Sequence, residues 1–437
     1  MGAGLQDLNE THDPARRSFV PGANEPTTDF PLQNLPFGVV QRDGEGHCCV
    51  AIGDQVLDLR LANEAGLLHQ PALAAPDLNP LLALGPDAAS DLRKRLSALL
   101  GEGSADQSAT GAMLLPMAAA AMALPVSVGS FTDFFTSLYH TERGGRLSNR
   151  NPPVPPAFRH LPIAYNSRAT SLRVSGEAVR RPNGQRRGAD GTPVFGPSAA
   201  LDFELELGVF MGPGNVVGQP LHIDAAADRL WGYCLVNDWS SRDVQAWESD
   251  PLGPFLCKSF STTLSPWVVT EEALRPFRIA APPRAGGDPA PLPYLVSKRD
   301  QAQGGIGLHM QALLLTPAMR AAGDPAAIVT DTDFRHVYWT FAQMAAHHMS
   351  NGCNLQTGDL LASGTVSGPT DESRACMAEL TSRGTDPVTL PGGEQRAWLL
   401  DGDEVIFRAR AEREGFVPVG FGECRGTVAG AVAWPGP

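Results

Sequence analysis

The sequence predicts an α+β protein, mostly β, organised as two domains. Three observations carry that expectation. The chain has 437 residues, more than one domain usually spans. Hydrophobic residues make up 43% and charged residues 19%, which suits a globular chain with a sizeable core. From about residue 124 onward the texture is rich in glycine and proline, with many short apolar runs between turn residues. We place the boundary near Ala123, ahead of Leu124-Pro125-Val126, giving units of 1–123 and 124–437.

The elements follow in chain order. Residues 31–60 alternate apolar runs (Phe37-Gly-Val-Val, Cys49-Val-Ala-Ile, Gln55-Val-Leu-Asp-Leu) with turn residues, the pattern of short antiparallel strands. From 62 to 100 the texture becomes helical: Leu81, Leu82, Leu84, Leu92 and Leu96 recur, punctuated by Pro80 and Pro86. The polar stretch 104–110 reads as a loop. Strands are expected at 203–211, 232–237, 266–270, 309–315, 359–363 and 404–410. One long helix is expected over 331–351, capped by Thr332 or Asp333, with Val337, Phe341, Met344 and His348 on one face.

Composition excludes several functions. A formal net charge of -13 argues against nucleic acid and anionic membranes, which need a basic surface to neutralise phosphate. The seven cysteines are odd in number, dispersed and without a C-x-x-C pair. That disfavours a disulfide framework or zinc cluster, favours a reducing cytoplasm, and makes each thiol a small buried hydrophobe before a nucleophile. The first thirty residues hold no apolar signal-peptide core, and the alanine-rich stretch 112–126, broken by Pro116 and Pro125, is too short and too weakly apolar to span a bilayer. There is no phosphate-binding loop, no G-x-S-x-G elbow and no H-E-x-x-H, and the glycines from Gly420 to Gly426 miss the dinucleotide spacing.

The most informative segment is Asp202-Phe-Glu204-Leu-Glu206-Leu-Gly208. As a strand it puts Glu204 and Glu206 on one face, about 7 Å apart. Such a pair is ordinarily a solvated face. Here the neighbours Leu201, Phe203, Leu205 and Leu207 are all large and apolar, so at least one side is covered, and paired carboxylates in that setting suit a hard divalent cation. A polar cluster, 237–245, directly follows the apolar run 233–236 and contains Asp238, Arg242 and Gln245. Lys258 and Thr262 come soon after. Taken singly, Arg242 and Lys258 read as surface residues. His140, in Phe131-Thr-Asp133-Phe-Phe135-Thr-Ser-Leu-Tyr-His140, would alone more often be structural than catalytic. The adjacent His347 and His348 face different ways on a helix, so they read as packing or capping.

Together these segments resemble the fumarylacetoacetase family, whose members close tyrosine degradation. The likeness also runs through Arg17-Ser-Phe-Val-Pro, Asp29-Phe-Pro-Leu-Gln-Asn-Leu-Pro-Phe-Gly, Val174-Ser-Gly, Ser265-Pro-Trp-Val-Val, Gly358-Asp-Leu-Leu-Ala-Ser-Gly-Thr365 and Leu399-Leu-Asp-Gly-Asp-Glu-Val. The resemblance implies an SH3-like N-terminal barrel joined to a large β-roll, assembled as a homodimer. It implies Mg2+ or Ca2+ held by Asp133, Glu204, Glu206 and Asp238, with Lys258 and Thr262 at the metal's edge and an optional monovalent cation nearby. His140 would be the general base, oriented by Glu379. Arg242, Gln245 and Lys258 would donate to the reacting carbonyl, and Tyr165 and Thr365 would touch substrate.

Two substrate-contacting positions depart from the family pattern: Phe135 and Ser249 stand where it has tyrosines. Between His140 and Leu161 the correspondence breaks, leaving Arg146 or Arg150, or neither, as the family's substrate-binding arginine. The implied reaction is metal-dependent hydrolysis of a carbon–carbon bond in a β-diketo acid, fumarylacetoacetate first. The alternatives are an acylpyruvate or other diketo-acid hydrolase of the same fold, or a non-catalytic binding relative.

Overall fold

A computed structural model of the chain describes residues 8–435, so the first seven residues of the N-terminal stretch lie outside it. The alternation in 31–60 becomes three strands, Phe37–Arg42, Glu45–Ile52 and Gln55–Asp58. The first two join through Asp43 and Gly44, both at positive φ (52° and 86°), the geometry of a tight two-residue hairpin turn. Leu114–Pro116 and Met122–Ala123 complete a five-stranded antiparallel sheet. In the helical stretch, Pro80 falls in the first turn of Asn79–Ala83 and Pro86 opens Pro86–Leu100, where a missing N–H costs nothing. Leu92, Leu96, Leu99 and Leu100 of the longer helix are buried, whereas Leu84 lies half exposed between the two helices.

The larger part of the chain is built on two further sheets. One runs in the order Ile163–Asn166, Phe131–Phe135, Leu360–Ala362, Leu205–Met211, Leu230–Asn237, Thr262–Leu264 and Leu172–Val174, with Val269–Thr270 pairing beside Leu230–Asn237. The other orders Ala327–Asp333, His309–Leu315, Glu404–Ala411, Val419–Ala429 and Val179–Arg180. Every residue of Leu205–Met211 and Leu230–Asn237 is buried. Leu205, Leu207 and Val209 join a core with Met310, Ala312 and Phe407 of the other sheet. Phe210, Trp231 and Val236 join a second core with Val39, Val50 and Leu96 of the N-terminal part. These two strands are therefore covered on both faces, and a polar side chain placed on them is removed from water.

Several expectations are corrected. The helix expected over 331–351 is a strand, Ala327–Asp333, then a 3-10 turn, Phe334–His336, and only then a helix, Phe341–Met349. Ile328, Thr330 and Thr332 are β-branched and pair with Leu313, Ala312 and Met310, with Val329 at a register shift between them, and that ladder takes the segment from the helix. Asp333 caps the 3-10 turn, while Thr340 and Gln343 form the capping box that starts the helix. The polar loop expected over 104–110 contains the short helix Gln107–Gly111. All seven thiols are free and six are buried, but Cys353 is exposed. Burial pushes Cys48 and Cys257 up to about 12, so both stay protonated at neutral pH. Among the described residues no helix is long and apolar enough to cross a membrane.

Candidate active site

Strand order explains how acidic residues far apart in sequence meet. Phe131–Phe135 runs parallel to Leu360–Ala362, with Asp133 opposite Ala362, and Leu360–Ala362 pairs in turn with Leu205–Met211. Glu206 lies at the start of that last strand and Glu204 directly precedes it, and Asp238 directly follows its neighbour, Leu230–Asn237. One carboxylate oxygen each from Asp133, Glu204 and Glu206 comes within 4.8 Å of the others, and all three residues are buried. Tyr165 stands opposite Asp133 in the antiparallel ladder. Its hydroxyl lies 2.8 Å from Asp133 Oδ2 and 2.7 Å from Asp238 Oδ2, tying the fourth carboxylate to the group.

Cations and hydroxyls satisfy only part of this cluster. Lys258 Nζ reaches Glu204 Oε2 at 2.8 Å and Asp238 Oδ2 at 2.9 Å. Arg242 Nη2 is 2.6 Å from Glu204 Oε1, Ser240 Oγ donates to the same oxygen, and Thr262 Oγ1 donates to Asp238 Oδ1 at 2.6 Å. Both oxygens of Glu206 and Oδ1 of Asp133 are buried with no hydrogen-bond partner. Burial, then the neighbouring carboxylates, push Asp133 and Glu206 far above the usual carboxylate range. Burial works the same way on Glu204, but Lys258 and Arg242 outweigh it and hold that carboxyl well below the range. Lys258 is raised despite its burial, because Asp238 and Glu204 favour its charge. Orphaned buried carboxylate oxygens cost several kcal/mol unless a partner meets them. An all-oxygen set of this kind fits a hard divalent cation.

Beside the cluster stands an imidazole–carboxylate pair. Ser137 caps the helix Leu138–Leu147, its Oγ accepting from the His140 amide, which fixes His140 in the first turn. His140 Nδ1 lies 2.5 Å from Glu379 Oε1. Glu379 also accepts from Ser367 Oγ at 2.6 Å and Arg143 Nη1 at 3.2 Å. Its burial disfavours the charge, but His140, Ser367 and Arg143 prevail and hold the carboxyl at about 2. Phe135 sets its ring edge-on to His140 (5.3 Å between centroids) and to Phe158 (6.1 Å), forming an apolar wall.

Of the remaining residues singled out in the sequence, Gln245 Oε1 accepts from Arg242 Nη1 at 3.0 Å, and the buried hydroxyls of Thr365 and Ser249 have no partner. Arg146 and Arg150 lie at the surface, Arg146 paired with Glu142 on its own helix. Arg143, which no sequence pattern singles out, is the arginine that reaches Glu379. His347 and His348 diverge as adjacent helical positions must, one toward Tyr294 and the other toward Thr132. Asp202 is likewise absent from the residues expected at the site: it is fully buried and pairs with Arg242 Nε at 2.7 Å. Strand alternation from Glu206 through Glu204 back to Asp202 is the signal that could have found it.

Fold and site together define an α+β scaffold carrying a cation-competent acidic cluster next to a His–Glu pair. Residues 133–429 match the family model described as fumarylacetoacetate (FAA) hydrolase C-terminal, residues 33–125 match fumarylacetoacetase N-terminal, and the chain belongs to the fumarylacetoacetate hydrolase family. It is 43% identical over 431 residues to fumarylacetoacetase of Bos taurus, spanning 95% of this chain and 100% of that protein. Fumarylacetoacetase of Oryza sativa is 44% identical (94% of this chain, 97% of that protein), and the Homo sapiens protein 41% (94% and 98%). Among solved structures, a fumarylacetoacetate hydrolase from Exiguobacterium antarcticum shares the fold at TM-score 0.50 and 14% identity, covering 91% of this chain and 99% of that one. A probable 2-hydroxyhepta-2,4-diene-1,7-dioate isomerase from Mycobacterium abscessus does so at 0.50 and 15%, covering 91% and 100%.

Proposed function

We propose that this protein hydrolyses fumarylacetoacetate to fumarate and acetoacetate, a step at the end of tyrosine and phenylalanine breakdown. The observation that carries the reading is the meeting of orphaned carboxylate oxygens, on Glu206 and Asp133, with the His140–Glu379 pair. Asp133, Glu204, Glu206 and Asp238 would hold Mg2+ or Ca2+, with Lys258 and Thr262 at its edge and a monovalent cation as an optional neighbour. When bound, the dication supplies positive charge that polarises the diketone oxygens. His140 accepts a proton from water, and Glu379 holds the imidazole in the tautomer that can do so. The resulting hydroxide adds to the carbonyl carbon, and Arg242, Gln245 and Lys258 donate to the oxygen that gains charge. The carbon–carbon bond then breaks, and the proton on His140 goes to the leaving carbon. Tyr165 and Thr365 would meet substrate oxygens, and Phe135 and Ser249 would line the distal end of the substrate.

Phe135 favours a second reading, a diketo acid with a more apolar acyl end such as an acylpyruvate, since its ring lines the wall next to His140. Turnover of fumarylacetoacetate and of acylpyruvates, with and without Mg2+, decides between them. No cleavage of either with metal present would overturn both. The family resemblance supports a homodimer, which sedimentation tests. The seven free thiols support a cytoplasmic location, which fractionation tests.

A further inference from the structure

Asp202 belongs to neither the carboxylate cluster nor the His–Glu pair, yet it is bonded to a holder of each. Its residue is fully buried. Oδ2 accepts from Arg242 Nε at 2.7 Å and from the Ala378 amide at 3.1 Å, and Oδ1 accepts from the Met377 amide at 2.5 Å. Those two amides open the short helix Met377–Leu380, whose own N-cap residue, Cys376, does not cap them with its side chain but turns its thiol to Glu379 Oε1 at 3.5 Å. Asp202 thus supplies from another strand the cap that the helix lacks. The next residue after Ala378 is Glu379, the partner of His140. On the other side, Arg242 reaches Glu204 with Nη2 and Gln245 with Nη1. The pair Leu201–Asp202 and Ser240–Ser241 is itself a two-stranded ladder, so the backbone that carries Asp202 is locked to the residue preceding Arg242.

We propose that Asp202 is a positioning residue that fixes the spacing between the carbonyl-side donor Arg242 and the base-orienting Glu379. The proposal rests on the roles given above to Arg242 and to the His140–Glu379 pair. One carboxylate takes three donors, two from the turn that aims Glu379 and one from the guanidinium, so neither can shift without the other. Charge-assisted bonds of this kind are short and directional. A displacement of about 1 Å at a reacting geometry can cost on the order of 100-fold in rate. In Asp202→Asn a single oxygen remains for three donors, and the new NH2 faces N–H groups it cannot bond.

The test is Asp202→Asn in the metal-loaded protein. The expected result is a kcat lower by about 10- to 100-fold, with KM and divalent-cation affinity each within about threefold of the unmodified protein. Amide hydrogen exchange over 376–380 should speed up at least about tenfold while the strand Leu205–Met211 is unchanged. Combining Asp202→Asn with Glu379→Gln should cost less than the product of the two single losses. If Asp202→Asn does not fold, Asp202→Glu keeps the buried charge but displaces it by one methylene and is expected to give the same kcat–KM split. A kcat within about twofold of normal, unchanged exchange at 376–380, or losses that multiply in the double variant each overturn the proposal. An unmodified protein that cleaves no diketo acid would instead overturn the proposed function, and the exchange measurement would still decide whether Asp202 holds the turn.

Discussion

Glu379 Oε1 lies 2.5 Å from His140 Nδ1, and the two come from elements 239 residues apart. The carboxylate is buried and takes three further donors, Ser367, Arg143 and the Cys376 thiol, so it remains an acceptor across the neutral range. That fixes the Nδ1–H tautomer and leaves Nε2 as the basic nitrogen. His140→Ala should therefore lower kcat by about 100- to 10,000-fold, the usual contribution of a general base. Steady-state kinetics check this, and a loss below about tenfold would reject the role.

The same pair predicts an acid-stability signature. Glu379 has its carboxyl held at about 2, below the ordinary 4.5. Its contribution, about 3 kcal/mol, is present above pH 4.5 and is lost as pH falls through about 2. Glu379→Gln should accordingly be less stable than the unmodified protein at about pH 6, and the gap should close between pH 4.5 and 2. Chemical denaturation across that window measures it. A gap that stays constant would mean that Glu379 is not ionised against His140 and Arg143.

Metal removal should abolish turnover, and exhaustive dialysis against a chelator with metal analysis tests it. Glu206 adds a sharper expectation. Its oxygens have no partner, and burial with the adjacent carboxylates raises its pKa far above normal. Without cation its ionised form opposes folding, so the metal-free protein should lose stability as pH rises above the ordinary carboxylate range. Glu206→Gln should raise the Tm of the metal-free protein while lowering cation affinity at least about tenfold. A variant that is less stable without metal would contradict this account of the cluster.

Specificity should follow Phe135 and Ser249. A hydrogen bond to a charged group is worth about 1.5–3 kcal/mol, and neither side chain can supply what a tyrosine would. Phe135→Tyr with Ser249→Tyr should improve fumarylacetoacetate turnover, chiefly through KM. Ordinary efficiency in the unmodified protein, with no gain in the double variant, would refute the argument.

Gly364 joins the site to its strand. Its φ is +73°, and a Cβ there would collide with the carbonyl oxygen of Phe134. Gly364→Ala should therefore destabilise the fold by more than about 1 kcal/mol and displace Thr365, raising KM. Denaturant midpoints and kinetics on the same preparation check both effects.

Much of the chemistry is legible in the sequence. The flanking leucines and Phe203 announce that Glu204 and Glu206 are covered, and both glutamates are buried, Glu206 on the strand and Glu204 just before it. The extent of 309–315 follows from apolar content alone and matches the strand His309–Leu315. The segment 331–351 misleads because Val337, Phe341 and Met344 carry a helical spacing across a boundary that only Thr340 marks, while the strand before it is stabilised by a partner elsewhere in the chain. Arg143 and Arg146 are indistinguishable as letters. One turn of helix decides that the first reaches Glu379 and the second faces Glu142 and water.

The sequence by itself determined the kinds of group available and the local periods that carry them: strands with acidic residues among apolar ones, and thiols without metal spacing. These are properties of neighbours along the chain, and period and composition record them. The tertiary structure alone decided which groups meet. Asp133, Glu206 and Asp238 converge because Leu360–Ala362 inserts between Phe131–Phe135 and Leu205–Met211, and no local pattern encodes the order of strands in a sheet. Likewise, Asp202 bonds Arg242 and the turn before Glu379 only because packing removes all three from water, where an unmet charge is too costly to leave alone.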